Sequence, residues 1–227
     1  MFDRVPDRYD LVNAVVTLGL DKRWRKLAVR ACLERGPRRI LDICTGTGDL
    51  AVALAEAADE RSEIVAADFS APMLEEARHK AEGTGLARRV ELARVDAAAL
   101  PFEDGAFDAV GVSFGFRNLT YKNKNRDLHL SEIARIVAPE GRFVIVESSQ
   151  PSSSVFRAGF RLYLGAWVKT MGGLVSGQRG AYRYLARSAR DFYEPREVEQ
   201  LLLDAGFAEV TTTPLLAGAA ALHVASK

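Results

Sequence analysis

From residue 39 onward, short apolar runs alternate with longer amphipathic segments. This alternation is typical of β-α-β units, in which a helix connects two parallel strands. The apolar runs predict five strands, at Ile40–Ile43, Glu63–Ala67, Val90–Arg94, Phe107–Ser113 and Arg142–Glu147. The amphipathic segments predict helices at Asp49–Ala58, Pro72–Glu82 and Asp127–Val137. We therefore expect a doubly wound α/β fold whose ligands bind at the carboxyl ends of the strands.

Two helices are predicted before the first strand, at Asp7–Thr17 and Lys22–Glu34. Asp21 is a candidate N-cap for the second helix, and Gly36, followed by a proline, is its candidate stop signal. We expect residues 1–36 to form a helical lid over the ligand site.

After the fifth strand, the pattern predicts a helix at Pro195–Ala205 and two apolar segments, Ala208–Thr212 and Ala219–Ala225. These two segments suit a closing antiparallel hairpin. The result is a seven-stranded, mostly parallel sheet with helices on both faces, in a single domain that spans residues 1–227.

The chain has 227 residues, of which 48% are hydrophobic and 27% charged, as in a soluble protein with one sizeable core. The net charge of +1 argues against a general nucleic-acid binder. No apolar run is long enough to cross a membrane, and the charged N-terminus is unlike a secretory signal. We therefore expect a cytoplasmic protein.

The cysteines and histidines give no sign of a metal site. Cys32 and Cys44 do not form a C-x-x-C pair, and the three histidines lack the spacing of metal ligands. His79 and His129 lie in predicted helices and are expected on their surfaces, whereas His223 lies in an apolar strand.

The first predicted strand runs into a glycine turn between Asp42 and Asp49. Gly46 and Gly48 permit unusual backbone dihedrals and a close approach to a bound nucleoside. The glycine pattern alone fits a dinucleotide-binding fold equally well, so the neighbouring residues have to decide.

Aspartates follow the next two strands as well. Asp68 is placed to bind ribose hydroxyls, and Asp96, with the small Ala97 beside it, is placed to bind the amino group of an adenine. The carboxylates of Asp42 and Asp49 would repel a pyrophosphate but attract the ammonium and sulfonium of S-adenosylmethionine, which favours methyl transfer over hydride transfer. The alternative is that such aspartates only cap helices, as Asp49 is placed to do.

Beyond the glycine turn, several short motifs are more specific in combination than any one alone. They are Phe2-Asp3, Arg8-Tyr9-Asp10 with Asn13, Thr45-Gly46-Thr47-Gly48-Asp49, Asp68-Phe69-Ser70 with Met73-Leu74, Leu100-Pro101-Phe102, Ser113-Phe114-Gly115-Phe116-Arg117-Asn118, Tyr182-Arg183-Tyr184-Leu185 and Ala221-Leu222-His223. In this combination the chain resembles the ubiquinone/menaquinone biosynthesis C-methyltransferases over essentially its whole length.

The resemblance implies a Rossmann-like class I methyltransferase fold, with S-adenosylmethionine as the methyl donor and S-adenosylhomocysteine as the product. It carries the family's cofactor contacts onto Thr47, Asp68, Asp96 with Ala97, and Ser113. With the neighbouring motif residues, the candidate cofactor-binding residues are Asp42, Thr45, Gly46, Thr47, Gly48, Asp68, Phe69, Asp96, Ala97 and Ser113.

The resemblance also implies a prenylated demethyl-quinol as the acceptor and places Arg117 and Asn118 in the acceptor site. Methylation of a ring carbon requires removal of a phenolic proton, so the reduced quinol is the expected substrate and a general base is needed. Arg117 is a poor base, and we expect it to stabilise the phenolate or to order a water. Tyr9 and His223 are further catalytic candidates, although a structural role for His223 is equally expected.

The chain departs from the family pattern near the fifth strand. Ala138-Pro139-Glu140-Gly141 replaces Lys-Pro-Gly-Gly, and Glu147-Ser148-Ser149-Gln150-Pro151 replaces Glu-Phe-Ser-Lys-Pro. The second change removes an aromatic residue and a lysine, which bears on the identity of the acceptor more than on the type of reaction.

Residues 148–191 form a basic, aromatic insertion. Seven basic residues and no acidic one lie between Glu147 and Asp191. Apolar side chains recur at helical spacing along its first part, at Phe156, Phe160, Tyr163, Leu164 and Trp167. This face suits packing on the core or in a homodimer, and it equally suits contact with a prenyl tail or peripheral binding to the inner face of a membrane.

Three other functions remain open at this point. They are methylation of another aromatic small molecule, hydride transfer with a nicotinamide cofactor, and nucleotide binding without catalysis. Nucleic-acid methylation is not expected, because the fourth strand ends in Ser113-Phe114-Gly115-Phe116, without the Pro-Pro motif of enzymes that methylate base amino groups.

Overall fold

The strands of the computed structural model, which describes residues 17–164 and 187–227, form one seven-stranded sheet. The predicted helix at Asp7–Thr17 and the candidate residue Tyr9 lie outside the described residues, apart from Thr17. The strand order is β3-β2-β1-β4-β5-β7-β6. The strands are β1 (Arg39–Ile43), β2 (Glu63–Asp68), β3 (Val90–Arg94), β4 (Phe107–Ser113), β5 (Val137–Ser148), β6 (Glu209–Leu215) and β7 (Ala220–Ser226).

Helices connect these strands and cover both faces of the sheet. They are α1 (Asp21–Leu33), α2 (Asp49–Ala57), α3 (Ala71–Gly83), α4 (Phe116–Thr120), α5 (Arg126–Ile136), α6 (Ser154–Tyr163) and α7 (Pro195–Asp204), with a short 3-10 turn at Ala87–Arg89. The helix α4 was not predicted, because its five residues are too few to show a helical repeat.

The pairing confirms the predicted doubly wound sheet and its closing hairpin. Strands β1 to β5 pair in parallel, whereas β7 pairs antiparallel with both β5 and β6. The strand order reverses at β1, which lies between β2 and β4. Ligand crevices in this class of fold open at that reversal, beyond the carboxyl ends of the strands.

The two faces of the sheet support two separate apolar cores. On one face Leu41, Val110 and Ile145 pack with buried residues of α5 and α7. On the other face Ile40 and Ala109 pack with residues of α1 and α2. Because both faces are covered, the central strands are apolar at nearly every position, which is why continuous apolar runs located them in the sequence.

The start of α1 differs from the prediction. Asp21 is not an N-cap: it is the first residue of the helix, and Leu20 precedes it without a side-chain capping bond. Instead, Asp21 Oδ1 accepts a hydrogen bond from Thr17 Oγ1 at 2.8 Å, and Oδ2 accepts one from Arg25 at 3.3 Å. The side chain is thereby drawn away from the helix end and is left only 6% exposed.

Strand β5 begins five residues earlier than predicted. Glu140, rather than the following glycine, adopts the left-handed conformation, with φ of 62°. Gly141 is required for a different reason, since a Cβ there would lie 2.7 Å from the carbonyl oxygen of Ala138. The irregular backbone at Glu140 and Gly141 therefore lies inside the strand.

The three histidines differ in their exposure to solvent. His79 is on the surface of α3, as predicted, with its side chain 60% exposed. His129 is not on the surface of its helix: it is 6% exposed, and its Nδ1 donates to the carbonyl oxygen of Leu119 at 2.8 Å. His223 is 2% exposed in the middle of β7, with Nδ1 2.9 Å from Thr212 Oγ1. Burial lowers the pKa of His223 to about 4, because the charged imidazolium is poorly solvated there.

We expect His223 to make the fold sensitive to acid. Between pH 6.5 and pH 4 the unfolded chain binds a proton that the folded protein excludes, so the free energy of unfolding falls as the pH falls. The difference between the two pKa values corresponds to about 3 kcal/mol. A His223→Gln variant should lack this part of the pH dependence in urea unfolding from pH 7 to pH 4, and equal slopes for both proteins would contradict this role.

Candidate active site

A cavity of about 560 Å³ lies at the carboxyl ends of β1, β2 and β4, at the reversal of strand order. We call it the cofactor cavity. Nine of the ten candidate cofactor-binding residues line it: Asp42, Thr45, Gly46, Thr47, Asp68, Phe69, Asp96, Ala97 and Ser113. The tenth, Gly48, does not line the cavity. Its φ is 82°, and a Cβ at this position would lie 2.8 Å from Ala77 Cβ, so no other residue fits there.

Asp42 is at the base of the glycine turn and is 1% exposed. Its Oδ2 accepts hydrogen bonds from Thr45 Oγ1 at 2.5 Å and from the backbone N–H of Ala51 at 2.9 Å. Its Oδ1 is buried without a partner among the described residues. Desolvation raises the pKa of Asp42 to about 7, so that a cation arriving at Oδ1 would favour its ionised form.

Asp68 and Asp96 are held by backbone N–H groups beside the cavity. Asp68 accepts from the N–H groups of Gly46 and Ser70, both at 2.9 Å, which links the end of β2 to the glycine turn. Asp96 accepts from the N–H of Ala98 at 2.9 Å. These bonds fix the carboxylates before a ligand binds, which lowers the entropic cost of binding.

Asp49 does not cap α2, which excludes the alternative considered for it. The N-cap is Gly48, and the Asp49 carboxylate instead pairs with Arg25 of α1 at 2.6 Å and with Lys80 of α3. Lys80 also reaches Thr47 Oγ1 at 3.2 Å. This network ties the helix before the sheet to the glycine turn.

A second cavity of about 360 Å³ adjoins the first, and its wall is mostly apolar. We call it the acceptor cavity. Arg25 and Phe114 line both cavities, so the two spaces meet at these side chains. The remaining wall comes from α1, the end of β5, α6 and the turn before β7, and includes Trp24, Pro151, Val155, Phe156, Phe160, Tyr163, Leu164 and Leu216.

One buried ion pair lies at the polar end of the acceptor cavity. Arg117 Nη1 donates to Glu147 Oε1 at 2.8 Å and to Ser148 Oγ at 3.1 Å. The backbone N–H of Arg117 donates to the other carboxylate oxygen at 3.0 Å. Arg117 and Glu147 are 3% and 1% exposed, and of the two only Arg117 lines the cavity. The guanidinium of Arg117 is therefore available to a ligand in the cavity, and its hydrogen bonds to Glu147 fix its orientation.

The other catalytic candidates are distributed differently. Asn118 lines the cofactor cavity and not the acceptor cavity, because α4 turns it away from Arg117. His223 lines neither cavity, which favours its structural role. Tyr9 lies outside the described residues. His129, expected on a surface, instead lines the cofactor cavity.

Sequence reasoning missed three residues of the site: Asp21, Arg25 and Glu147. The sequence does show that Asp21 and Arg25 are four residues apart, which places an acidic and a basic side chain on the same face of a helix. It does not show that this face lines a cavity. Glu147 was recognised only as the end of a strand, and its partner is thirty residues away in the chain.

The donors and acceptors on the wall of the cofactor cavity suit S-adenosylmethionine. The unpartnered Oδ1 of Asp42 suits a cationic group, and Asp68 and Asp96 suit hydroxyl and amino donors. A pyrophosphate would meet the carboxylates of Asp42 and Asp49 instead. The volume lies within the range of roughly 300 to 1,000 Å³ for small-molecule sites. Over residues 17–164 and 187–227, no group of three or more acidic, histidine or cysteine side chains is placed to hold a metal ion.

Comparison with known proteins finds relatives along the whole chain. A model of the ubiE/COQ5 methyltransferase family matches residues 1–227. A demethylmenaquinone methyltransferase of Thermus thermophilus is 45% identical over 227 residues, covering 100% of both chains. A ubiquinone/menaquinone biosynthesis C-methyltransferase UbiE of Geotalea uraniireducens is 35% identical and covers 100% of this chain and 94% of its own.

Among solved structures, a SAM-dependent methyltransferase from Aquifex aeolicus superposes with a TM-score of 0.64. It is 19% identical and covers 95% of this chain and 97% of its own. At this identity the likeness shows the fold, which is the Rossmann-like methyltransferase fold.

We expect donor binding to depend on the ionisation of Asp42. Because the pKa of Asp42 is about 7 in the free protein, the affinity for the cationic S-adenosylmethionine should rise about tenfold from pH 6 to pH 8. Titration calorimetry at pH 6, 7 and 8 measures this rise. An Asp42→Asn variant should bind S-adenosylmethionine more weakly and should show no rise in affinity with pH. S-adenosylhomocysteine, which lacks the sulfonium charge, should show a smaller rise with the wild type. Equal pH dependence in the wild type and the variant would contradict this coupling.

Proposed function

Because the chain belongs to the ubiE/COQ5 methyltransferase family, we propose that it methylates a ring carbon of a prenylated demethyl-quinol, in the biosynthesis of a respiratory quinone. Membership of the family makes the chain a methyltransferase that uses S-adenosylmethionine. The observation that carries the choice of acceptor is the apolar cavity that meets the cofactor cavity at Arg25 and Phe114. An acceptor bound there would lie beside the cofactor cavity, from which the donor would supply the methyl group.

The shape of the acceptor cavity supports a ring with an apolar tail. Its polar end holds Arg117 and Ser148, which suit the hydroxyl groups of a quinol. Another part of its wall includes apolar residues that are more than half exposed and therefore lie at the mouth: Leu18 (65%), Val155 (78%), Phe156 (61%) and Leu216 (58%). An isoprenoid tail leaving through this mouth would stay in contact with apolar side chains.

The reaction is an in-line displacement that depends mainly on positioning. When bound, S-adenosylmethionine supplies an electrophilic methyl group on its sulfonium. Phe114 and Trp24, whose ring centroids are 6.1 Å apart, present flat apolar surfaces beside the acceptor ring. The guanidinium of Arg117 stabilises the negative charge that develops on the quinol oxygen, and Glu147 prevents it from rotating away. Asn118 acts from the cofactor cavity, on the donor's side of the junction.

The first experiment is methyl transfer from labelled S-adenosylmethionine. We expect label on chemically reduced demethylmenaquinol and none on the oxidised quinone, because only the reduced ring provides a phenolate. A prenylated benzoquinol in parallel reports which ring is preferred. Label on no quinol, with tight binding of S-adenosylhomocysteine, would overturn the proposed acceptor and leave the methyltransferase fold intact. The altered segment Ser148–Gln150 would then be the first place to look for a different aromatic substrate.

The same assay tests Arg117. We expect Arg117→Ala to bind the donor normally and to lose at least tenfold in kcat. Since this change leaves Glu147 buried without its partner, it also destabilises the protein by about 3 to 5 kcal/mol. The double variant Arg117→Ala with Glu147→Gln should recover part of the stability but none of the activity. Wild-type kcat in either variant would exclude this role.

We further propose that α6 binds the surface of an anionic membrane, from which the prenylated acceptor enters. Val155 and Leu162 are a helical spacing of seven apart and are 78% and 72% exposed, and Arg161 is exposed beside them. The region between residues 148 and 190 is rich in basic residues and contains no acidic one, which suits anionic headgroups. In the described part of the chain, no helix is long and apolar enough to cross a membrane.

Co-sedimentation with vesicles tests this contact. We expect binding to vesicles that contain an anionic phospholipid and little binding to purely zwitterionic ones. Leu162 does not line the acceptor cavity, so Leu162→Glu should weaken vesicle binding while turnover of a short-chain acceptor is unchanged. The matched control is Leu128→Glu on α5, where the leucine is 48% exposed. Equal vesicle binding by both variants would exclude this face, and a dimer that Leu162→Glu dissociates would assign the face to a second copy instead.

A further inference from the structure

The described residues considered so far as catalytic candidates do not supply the base for this reaction. Arg117 remains cationic at any ordinary pH, and Asn118 is an amide in the other cavity. His223 lines neither cavity. Glu147 is 1% exposed and does not line the acceptor cavity, so its carboxylate does not reach an acceptor bound there. Removal of the phenolic proton therefore needs another group.

Within the described ranges, Asp21 is the one carboxylate that lines the acceptor cavity. It is 6% exposed, and its two oxygens are oriented by different partners, Thr17 Oγ1 at 2.8 Å and Arg25 Nη2 at 3.3 Å. An acidic residue in the first turn of a helix ordinarily interacts with the free N–H groups of that turn or with water. Here no side-chain cap is formed, and the carboxylate is instead held at the cavity wall.

The position of Asp21 also suits the geometry of the reaction. The carbon that is methylated must lie at the junction of the two cavities, where Arg25 and Phe114 are found. The hydroxyl that activates this carbon is on the neighbouring ring carbon and therefore lies close to the junction too. Asp21 is one helical turn before Arg25 and is hydrogen-bonded to it, so its carboxylate is next to the junction.

We propose that Asp21 is the general base that removes the acceptor's phenolic proton, an inference that rests on the proposed function. The O–H bond breaks and the proton passes to the Asp21 carboxylate. The oxygen's electron pair shifts into the ring, the ring carbon forms a bond to the methyl group, and the C–S bond breaks to leave neutral S-adenosylhomocysteine. The methylated carbon then loses its hydrogen as a proton to water, and Asp21 returns its proton to the oxygen.

Arg25 assists this step as a positioning residue. Its guanidinium contacts both Asp21 and Asp49, so it is held by one residue of each cavity. It keeps the base at the junction and places a positive charge beside the phenolate that forms.

The test compares Asp21→Asn with the wild type on reduced demethylmenaquinol. Asparagine keeps the size of the side chain and an oxygen to accept from Thr17, so we expect donor affinity to change less than about twofold. Loss of a general base lowers kcat by about 100-fold or more. Asp21→Glu, which keeps the carboxylate, should retain measurable activity, and a melting curve for each variant shows that it is folded.

Acceptors whose hydroxyl groups differ in acidity distinguish a role of Asp21 as a base from a purely structural role. An electron-withdrawing halogen on the ring lowers the pKa of the acceptor's hydroxyl and makes its proton easier to remove, so Asp21→Asn should lose less activity on this acceptor than on the parent quinol. Raising the pH should likewise restore the variant more than the wild type. The matched control is Asp127→Asn, an acid in the first turn of α5 whose side chain is 84% exposed and lines neither cavity.

The outcomes are distinct. If the wild type methylates no quinol, the proposed function is wrong, and the role of Asp21 as a base for a quinol is wrong with it. If the wild type is active and Asp21→Asn matches it, or loses the same factor on both acceptors with an unchanged pH profile, Asp21 is not the base and the proposed function stands.

Discussion

The strand order reverses between β2 and β4, on the two sides of β1, and the rest of the site depends on this reversal. Connections leaving neighbouring strands there diverge to opposite faces of the sheet, so no helix covers the space above the strand ends. The glycine turn after β1 and the segment after β4 face each other across that space. Gly115 reflects how closely they approach, since a Cβ at this position would lie 2.6 Å from Cys44 Cβ.

Among the described residues, the buried carboxylate oxygens around the crevice have polar partners, with one informative exception. Arg117 with Glu147, and Arg25 with Asp49, each join elements that are distant in sequence. Removing one partner of a buried pair such as Arg117 with Glu147 is costly, whereas the pair itself adds little stability, so this pair is better explained by orientation than by stabilisation. Asp42 is the exception: one of its oxygens is buried without a partner, which is the state expected of a group that binds a cation.

The sequence predicted the parallel core and the cofactor cavity well, because both depend on local signals. Apolar runs located the five parallel strands, and glycines and aspartates at the strand ends marked the residues that line the cofactor cavity. The resemblance to a known family supplied the methyl donor and directed attention to Arg117. The errors were also local. The short helix α4 is too brief to show a period, and Asp21 matched a capping pattern although its side chain pairs instead with Thr17 and Arg25, each four residues away.

The sequence by itself therefore determined the fold class, the donor and most of the residues that line the cofactor cavity, since a strand and the turn that follows it are contiguous in the chain. Only the tertiary structure decided how the acceptor side is built. It turned Arg117 and Asn118 toward different cavities, buried His129 against the cofactor cavity, and brought Asp21 of α1 to the junction beside Arg25. The physical reason is that Arg117 and His129 are oriented by partners from separate elements, and such contacts leave no periodic trace in the sequence. The pairing of Asp21 with Arg25 is local, but the cavity that it faces forms only when α1 packs beside the sheet.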